Sequence, residues 1–231
     1  MWMDVLFNFC FEIFGVSITI GLLAVAASLL IVYGIHAVRK KKYQQTEYFK
    51  QTQTDYENIL DDVGKLGEYY TSEKLKPLNG YKKYLFNCYL PKDGGETTEI
   101  DVILLHESGI YVFESKNYSG WIFGNEDSYK WTQSLSGGKG KTSKKQFLNP
   151  IIQNKVHLKW LQEYLGSEKN WPLYSYIVFS ERCELKKVTV TSKGHHVIKR
   201  ENLLQEVRRN IAEVGTQLSK EEIDSLESCI L

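Results

Sequence analysis

Residues 99–116 read EIDVILLHESGIYVFESK, two apolar, alternating runs around a short polar break. Alternation of this kind marks half-buried strands, and Glu107-Ser108 ahead of Gly109 marks a turn. The spacing predicts an antiparallel hairpin whose even-length turn spans Glu107 to Ile110. Asp101 then faces Lys116, and Ile103 faces Glu114. Directly opposed residues share a face, so Asp101, Glu114 and Lys116 project together from one end of the hairpin. Ile100, Val102, Leu104, Tyr111 and Phe113 form the other, core-facing surface. An odd-length turn without a bulge would put the two acids on opposite faces.

Two readings of this polar group compete. One is a salt-bridged strand end, since Glu-x-Lys is common on solvated strands. The other is a metal site, in which two carboxylates and a backbone carbonyl hold Mg²⁺ or Mn²⁺ with several waters. The metal would lower the pKa of one water, and the lysine would orient it or help deprotonate it for attack on a phosphodiester.

Working outward, 3–4 residue spacing of Ile59, Leu60, Val63, Leu66, Tyr70 and Leu75 predicts a helix over 55–75, closed by Pro77 and Gly80. Strands are expected at 83–90, 98–106 and 109–116, with a short hairpin at 121–124 and 129–132. A Gly/Ser/Lys loop is expected over 134–145. Asn149 at N-cap and Pro150 at N1 predict a helix to about Leu165. Strands at 173–180, 188–191 and 196–198 and two C-terminal helices complete the chain. This order implies an α/β fold with a mixed central sheet flanked by helices.

The N-terminus is of another kind. Ile13 to Ile35 carry no charge, and a helix of that length spans a hydrocarbon core of roughly 30 Å. Ala24-Val25-Ala26 has the form of a cleavage site, but apolar sequence continues beyond it and no basic residue precedes it. The reading is therefore a transmembrane anchor, 1–42, with contact to the bilayer over 13–38. Asp4 and Glu12 precede the span and Arg39-Lys40-Lys41-Lys42 follow it, which puts the N-terminus outside and the rest in the cytoplasm of a single-pass cell-membrane protein. The basic run also suits anionic lipid. Residues 43–54 read as a linker or a juxtamembrane helix extension, and 55–231 as the folded domain. With Asp4 and Glu12 set aside, 29 basic residues stand against 26 acidic ones, a charge compatible with nucleic acid that does not require it. The four cysteines show no C-x-x-C spacing, which argues against a zinc site or disulfide framework.

From Gly64 to Leu165 the chain resembles the nuclease-related domain (NERD) family, a branch of the PD-(D/E)XK nuclease superfamily. The resemblance lies in Gly67-Glu68, Glu99-Ile100-Asp101, Gly109 through Asn117, Gly120-Trp121-Ile122-Phe123-Gly124, Trp131 and Asn149-Pro150-Ile151-Ile152-Gln153. It implies a restriction-endonuclease-like core. It further implies that Asp101 and Glu114 bind the metal with help from Glu68, that Lys116 is the lysine of the motif, and that Gln153 contacts substrate or that lysine. Ile100 stands where the superfamily pattern has proline, and Ser115 fills the middle of Glu-x-Lys. From the residues alone, Glu68 also reads as a solvated helix residue and Gln153 as serving its helix terminus.

The expected function is a membrane-anchored, metal-dependent nuclease acting on DNA, or on RNA. The alternative is a non-catalytic, membrane-tethered nucleic-acid-binding or scaffolding module that keeps the nuclease fold. Gly137 to Thr142 imitates a phosphate loop, but the pattern requires glycine where Leu135 stands. Its lysines, with Lys144 and Lys145, suit phosphate backbone or plain solvent equally. His157, four residues after Gln153, borders the expected site and reads more readily as structural. Of the tryptophans, Trp121, Trp131, Trp160 and Trp171 offer rings for base stacking, although core packing accounts for most such residues.

Overall fold

The computed structural model describes residues 2–137 and 141–231, the side chains of 4, 7–11 and 13–17 excepted. Gly138, Lys139 and Gly140 of the phosphate-loop look-alike lie outside the described residues. The chain divides into two compact units, residues 1–46 and 47–231.

The first unit is one helix, α1 (Trp2–Tyr43), with Lys40, Lys41 and Lys42 in its last turn. Its stretch Ile18–Tyr43 is long and apolar enough to cross a membrane. Leu22, Leu23, Leu29, Leu30, Ile31 and Val32 all point outward. The Ser28 hydroxyl donates to the Ala24 carbonyl at 2.8 Å, which satisfies it within the helix.

The second unit begins with α2 (Glu47–Thr52), α3 (Tyr56–Asp61) and α4 (Val63–Leu75). Of the two readings of 43–54, linker or helix extension, the stretch is helical over 47–52 as a separate short helix, and Tyr48 in it is fully buried. The single helix expected over 55–75 is broken at Asp62. Its backbone is extended, and its carboxylate accepts from the Gly64 and Lys65 amides to cap α4.

Among the described residues nine strands and three further helices follow: β1 (Lys82–Pro91), β2 (Thr97–His106), β3 (Gly109–Lys116), β4 (Gly120–Asn125), β5 (Lys130–Ser136), β6 (Thr142–Leu148), α5 (Pro150–Tyr164), β7 (Leu173–Phe179), β8 (Cys183–Thr189), β9 (His195–Lys199), α6 (Arg200–Val214) and α7 (Lys220–Ile230). The described strands form two mixed sheets rather than one. The larger has the order β1-β2-β3-β7-β9, antiparallel as far as β3 and parallel beyond it. The smaller has the order β6-β5-β4-β8. The expected loop 134–145 hid the end of β5 and the start of β6, because β6 is polar on both faces and offers no alternation to read. Thr142 opens that strand, whereas a phosphate loop would lead into a helix.

One face of the larger sheet is covered by α5 and α7. Leu161, Ile223 and Leu226 pack there on Leu85, Ile103, Ile110 and Val112. On the other face lies α6, whose Asn210 accepts from the Tyr111 hydroxyl at 2.8 Å, and α4, whose Gly67 meets β3. The smaller sheet packs Ile122 and Trp131 against Ile177, Phe179 and Ile151.

Candidate active site

The β2–β3 turn is the two residues Glu107-Ser108, so His106 opposes Gly109 and Val102 opposes Phe113. The expected register was two residues out, because the turn closes tightly at Gly109. There φ is +136°, and a Cβ would lie 2.7 Å from the Pro172 carbonyl. Both turns are even in length, so the two acids still share one end of the hairpin. Asp101 falls opposite Glu114, not Lys116. The ladder stops at Val102, and the Asp101 carboxylate takes the next amide itself, accepting from Ser115 N–H at 2.9 Å.

A second irregularity lies in β1. Phe86 pairs with Val102 and Cys88 with Ile100, while Asn87 and Asp101 between them make no ladder pair. Asn87 has φ +52°, the left-handed region that asparagine tolerates. Beyond this point the faces exchange. Leu85 and Cys88, three residues apart, enter the same cluster, as do Ile103 and Ile100. Ile100 therefore leaves the surface it was expected to share with Val102. Asp101 sits at the exchange, electrostatically within reach of Glu114 and of Glu68 on α4.

Glu114 is 3% exposed, and both of its oxygens are engaged. Oε1 meets Lys116 Nζ at 2.5 Å, and Oε2 meets His157 Nε2 at 3.1 Å. The other ring nitrogen, Nδ1, lies 2.8 Å from the Thr98 hydroxyl. Since Glu114 can only accept, Nε2 carries the hydrogen, and Thr98 donates to Nδ1 in the neutral ring. Glu68 is held from the other side by Tyr48, whose hydroxyl donates to Oε2 at 2.8 Å.

Burial drives the electrostatics. Desolvation pushes Glu68 up to about 7, with Glu99 and Asp62 adding repulsion against the Tyr48 hydrogen bond. Desolvation, then Glu114 and Glu68, push Asp101 well above the usual carboxylate range. Glu114 is desolvated too, but Lys116 and His157 outweigh this and hold it below its ordinary value. Lys116 resists desolvation through Glu114 and moves up, so its ammonium stays charged at neutral pH. That favours an electrostatic role over proton abstraction.

Of the expected site residues, Asp101, Glu114, Lys116 and Glu68 form one interacting group. Gln153 is half-buried in the first turn of α5, and its backbone amide bonds the Asn149 carbonyl. Among the described residues no hydrogen bond ties its side chain to the acids. His157, one turn later, is the α5 residue that reaches Glu114. The signal for it was the i, i+4 spacing, which alone does not separate a core histidine from a site histidine. Tyr48 and Thr98 carried no motif. Among the described residues, no three His, Cys, Asp or Glu side chains already enclose a metal position. The donor chemistry nonetheless fits a hard cation: the set is all oxygen, its acids repel one another, and Glu114 need only exchange one partner.

Gly67 places α4. A Cβ there would lie 2.9 Å from Asn117 Cβ and 3.0 Å from Ser115 Oγ. In an open helix Gly→Ala gains about 1 kcal/mol. Here overpacking costs about 1–3 kcal/mol, so Gly67→Ala is expected to lower the denaturant midpoint rather than raise it.

The nuclease-related domain model matches residues 63–180, from the start of α4 to just past β7. An uncharacterized protein of Bacillus anthracis is 36% identical over 169 residues, which is 73% of this chain and 75% of that protein. No solved structure matches. The matched span contains Glu68, the acidic hairpin and His157, and the chain belongs to the nuclease-related domain family.

Proposed function

We propose that this protein is a metal-dependent phosphodiester hydrolase acting on DNA or RNA, held on a membrane by α1. The observation that supports it most is the gathering of Asp101 and Glu114 around Lys116 at the end of a buried hairpin, with Glu68 in electrostatic reach of Asp101. Burying like charges together costs free energy, and such strongly shifted groups concentrate at functional sites. Asp101 and Glu114, with Glu68 beside them, would hold Mg²⁺ or Mn²⁺, which when bound acidifies a water and offsets charge on the phosphate. The chain's own groups do the rest. Lys116 keeps its proton and presents positive charge to the phosphodiester. His157 fixes Glu114, and Thr98 fixes the tautomer of His157. Gln153, at the start of α5, contacts the substrate.

The test is cleavage of labelled DNA and RNA by the full chain in detergent with Mg²⁺ or Mn²⁺, against Asp101→Ala. If no substrate is cut and calorimetry finds no metal bound, the hydrolase reading is wrong. A specific observation favours a second reading, that of a non-catalytic tethered nucleic-acid-binding or scaffolding module: Glu114 has both oxygens satisfied without a metal.

The bases ending α1 support an orientation with the N-terminus outside and the domain in the cytoplasm. Protease added to intact cells should then spare residues 47–231. Digestion of the domain from outside would reverse the orientation.

A further inference from the structure

We propose that the outer face of the smaller sheet docks single-stranded nucleic acid and leads it toward Glu114 and Lys116. This rests on the hydrolase reading and specifies the form of its substrate.

The register sorts the residues of this sheet by face. Trp121 lies between Glu184 and Ser134, with Lys144 beyond; Phe123 lies between Lys187 and Thr132, with Gln146 beyond. Lys130, two residues from Thr132, shares this face. The alternate residues Ile122 and Trp131 point inward to the core. Trp121 is 48% exposed, whereas Trp131 is 1% exposed. Lys186, at the irregularity in the β4–β8 pairing, sets its ammonium 5.3 Å from the centre of the Trp121 ring. Lys130, Lys144, Lys186 and Lys187 are all exposed, and Glu184 is the acid among these rows.

Lys186 pairs with Glu184 at 3.1 Å, and the remaining ammonium groups of Lys130, Lys144 and Lys187 suit a polyanion. The exposed indole decides which kind. A base stacks on an aromatic face only when it is free of its own duplex, and each such contact raises affinity roughly tenfold. A duplex would use the lysines and leave the indole idle; a lipid surface takes up both, which is why vesicles form a separate arm of the test. Position agrees with this. β4 begins four residues after Lys116, and β8 begins four residues after Phe179 of β7. The Ser180 amide donates to the Lys116 carbonyl at 3.0 Å, and the Gly120 amide to the Arg182 carbonyl at 3.2 Å. Strands β4 and β8 therefore leave the larger sheet at the end where Glu114 and Lys116 stand.

The experiment is fluorescence anisotropy of a fluorescein-labelled oligothymidylate with the full chain in detergent and EDTA, across a range of NaCl. Trp121→Ala should weaken binding about tenfold, and Trp121→Phe should restore most of it. The double change Lys144→Gln with Lys187→Gln should reduce the salt slope. Because these side chains are exposed, the variants should keep the wild-type melting temperature. Unchanged affinity in Trp121→Ala overturns the proposal, as does binding of phosphatidylserine vesicles, rather than the oligonucleotide, that depends on Trp121. Asp101→Ala separates the two ideas, since it should lose cleavage while binding the oligonucleotide at least as tightly. Cleavage by the wild type with no effect of Trp121→Ala on binding would sink the docking surface alone. A wild type that neither binds nor cleaves would sink both.

Discussion

Asp101→Ala is expected to lower phosphodiester cleavage by about a thousandfold or more and to abolish tight divalent-metal binding. A metal supplies several kcal/mol of transition-state stabilisation, and each 1.36 kcal/mol is a factor of ten in rate. Asp101 is the acid best placed to carry that effect, because it interacts with both Glu114 and Glu68. The loss would not reflect unfolding. In the metal-free protein Asp101 is already disfavoured as an anion by desolvation and by its two neighbours, so removing it relieves repulsion. What it forfeits is the bond from the Ser115 amide. The melting temperature without metal should therefore stay close to wild type while the stabilisation by added Mn²⁺ disappears. Wild-type activity and a full Mn²⁺ shift in Asp101→Ala would remove this residue from the mechanism.

The second large effect concerns Glu68 in the metal-free protein. Its folded-state value is pushed up to about 7 by desolvation, against 4.5 for the free side chain. Below 4.5 the group is protonated whether the chain is folded or not, and it costs nothing. Between 4.5 and 7 the folded protein binds a proton that the unfolded chain has released, so stability falls as pH rises through that window. Above 7 the penalty is constant, on the order of 2–3 kcal/mol. Glu68→Gln keeps an oxygen for the Tyr48 hydroxyl and removes the charge. The variant is expected to be more stable than wild type at pH 8 by about 2 kcal/mol, a gain that vanishes near pH 4.5. Denaturation at several pH values in EDTA reads this directly. A variant less stable than wild type at pH 8 would mean that Glu68 contributes to folding as an anion.

Much of the fold was legible because its signals are local. Alternation located β1, β2, β3 and β7, and the Asn149-Pro150 pair located the start of α5. Hairpin parity, which needs only an even turn, brought Asp101 and Glu114 to the same end. The register itself was two residues out, because parity does not distinguish a two-residue turn from a four-residue one. The features that were not legible depend on contacts distant in sequence. Tyr48 lies in a polar stretch that reads as a linker or helix extension, and only its burial against Phe86 and its bond to Glu68 give it a role. β6 is a strand because β5 pairs with it, not because of its own pattern. The division of Trp121 from Trp131 into surface and core likewise needed the register of three strands.

The left-handed residue in β1 carries a consequence for how such a chain can change over time. Asn87 sits across from Asp101, fourteen positions away, where both strands exchange faces. A β-branched residue at 87 resists positive φ at a cost of about 1–2 kcal/mol and favours a straight strand. A straight strand would restore strict alternation and turn Asp101 away from one of its two acidic neighbours. The display of that acid is thus specified jointly by two strands. A substitution at 87 would therefore be felt at 101, although the two positions lie on different strands.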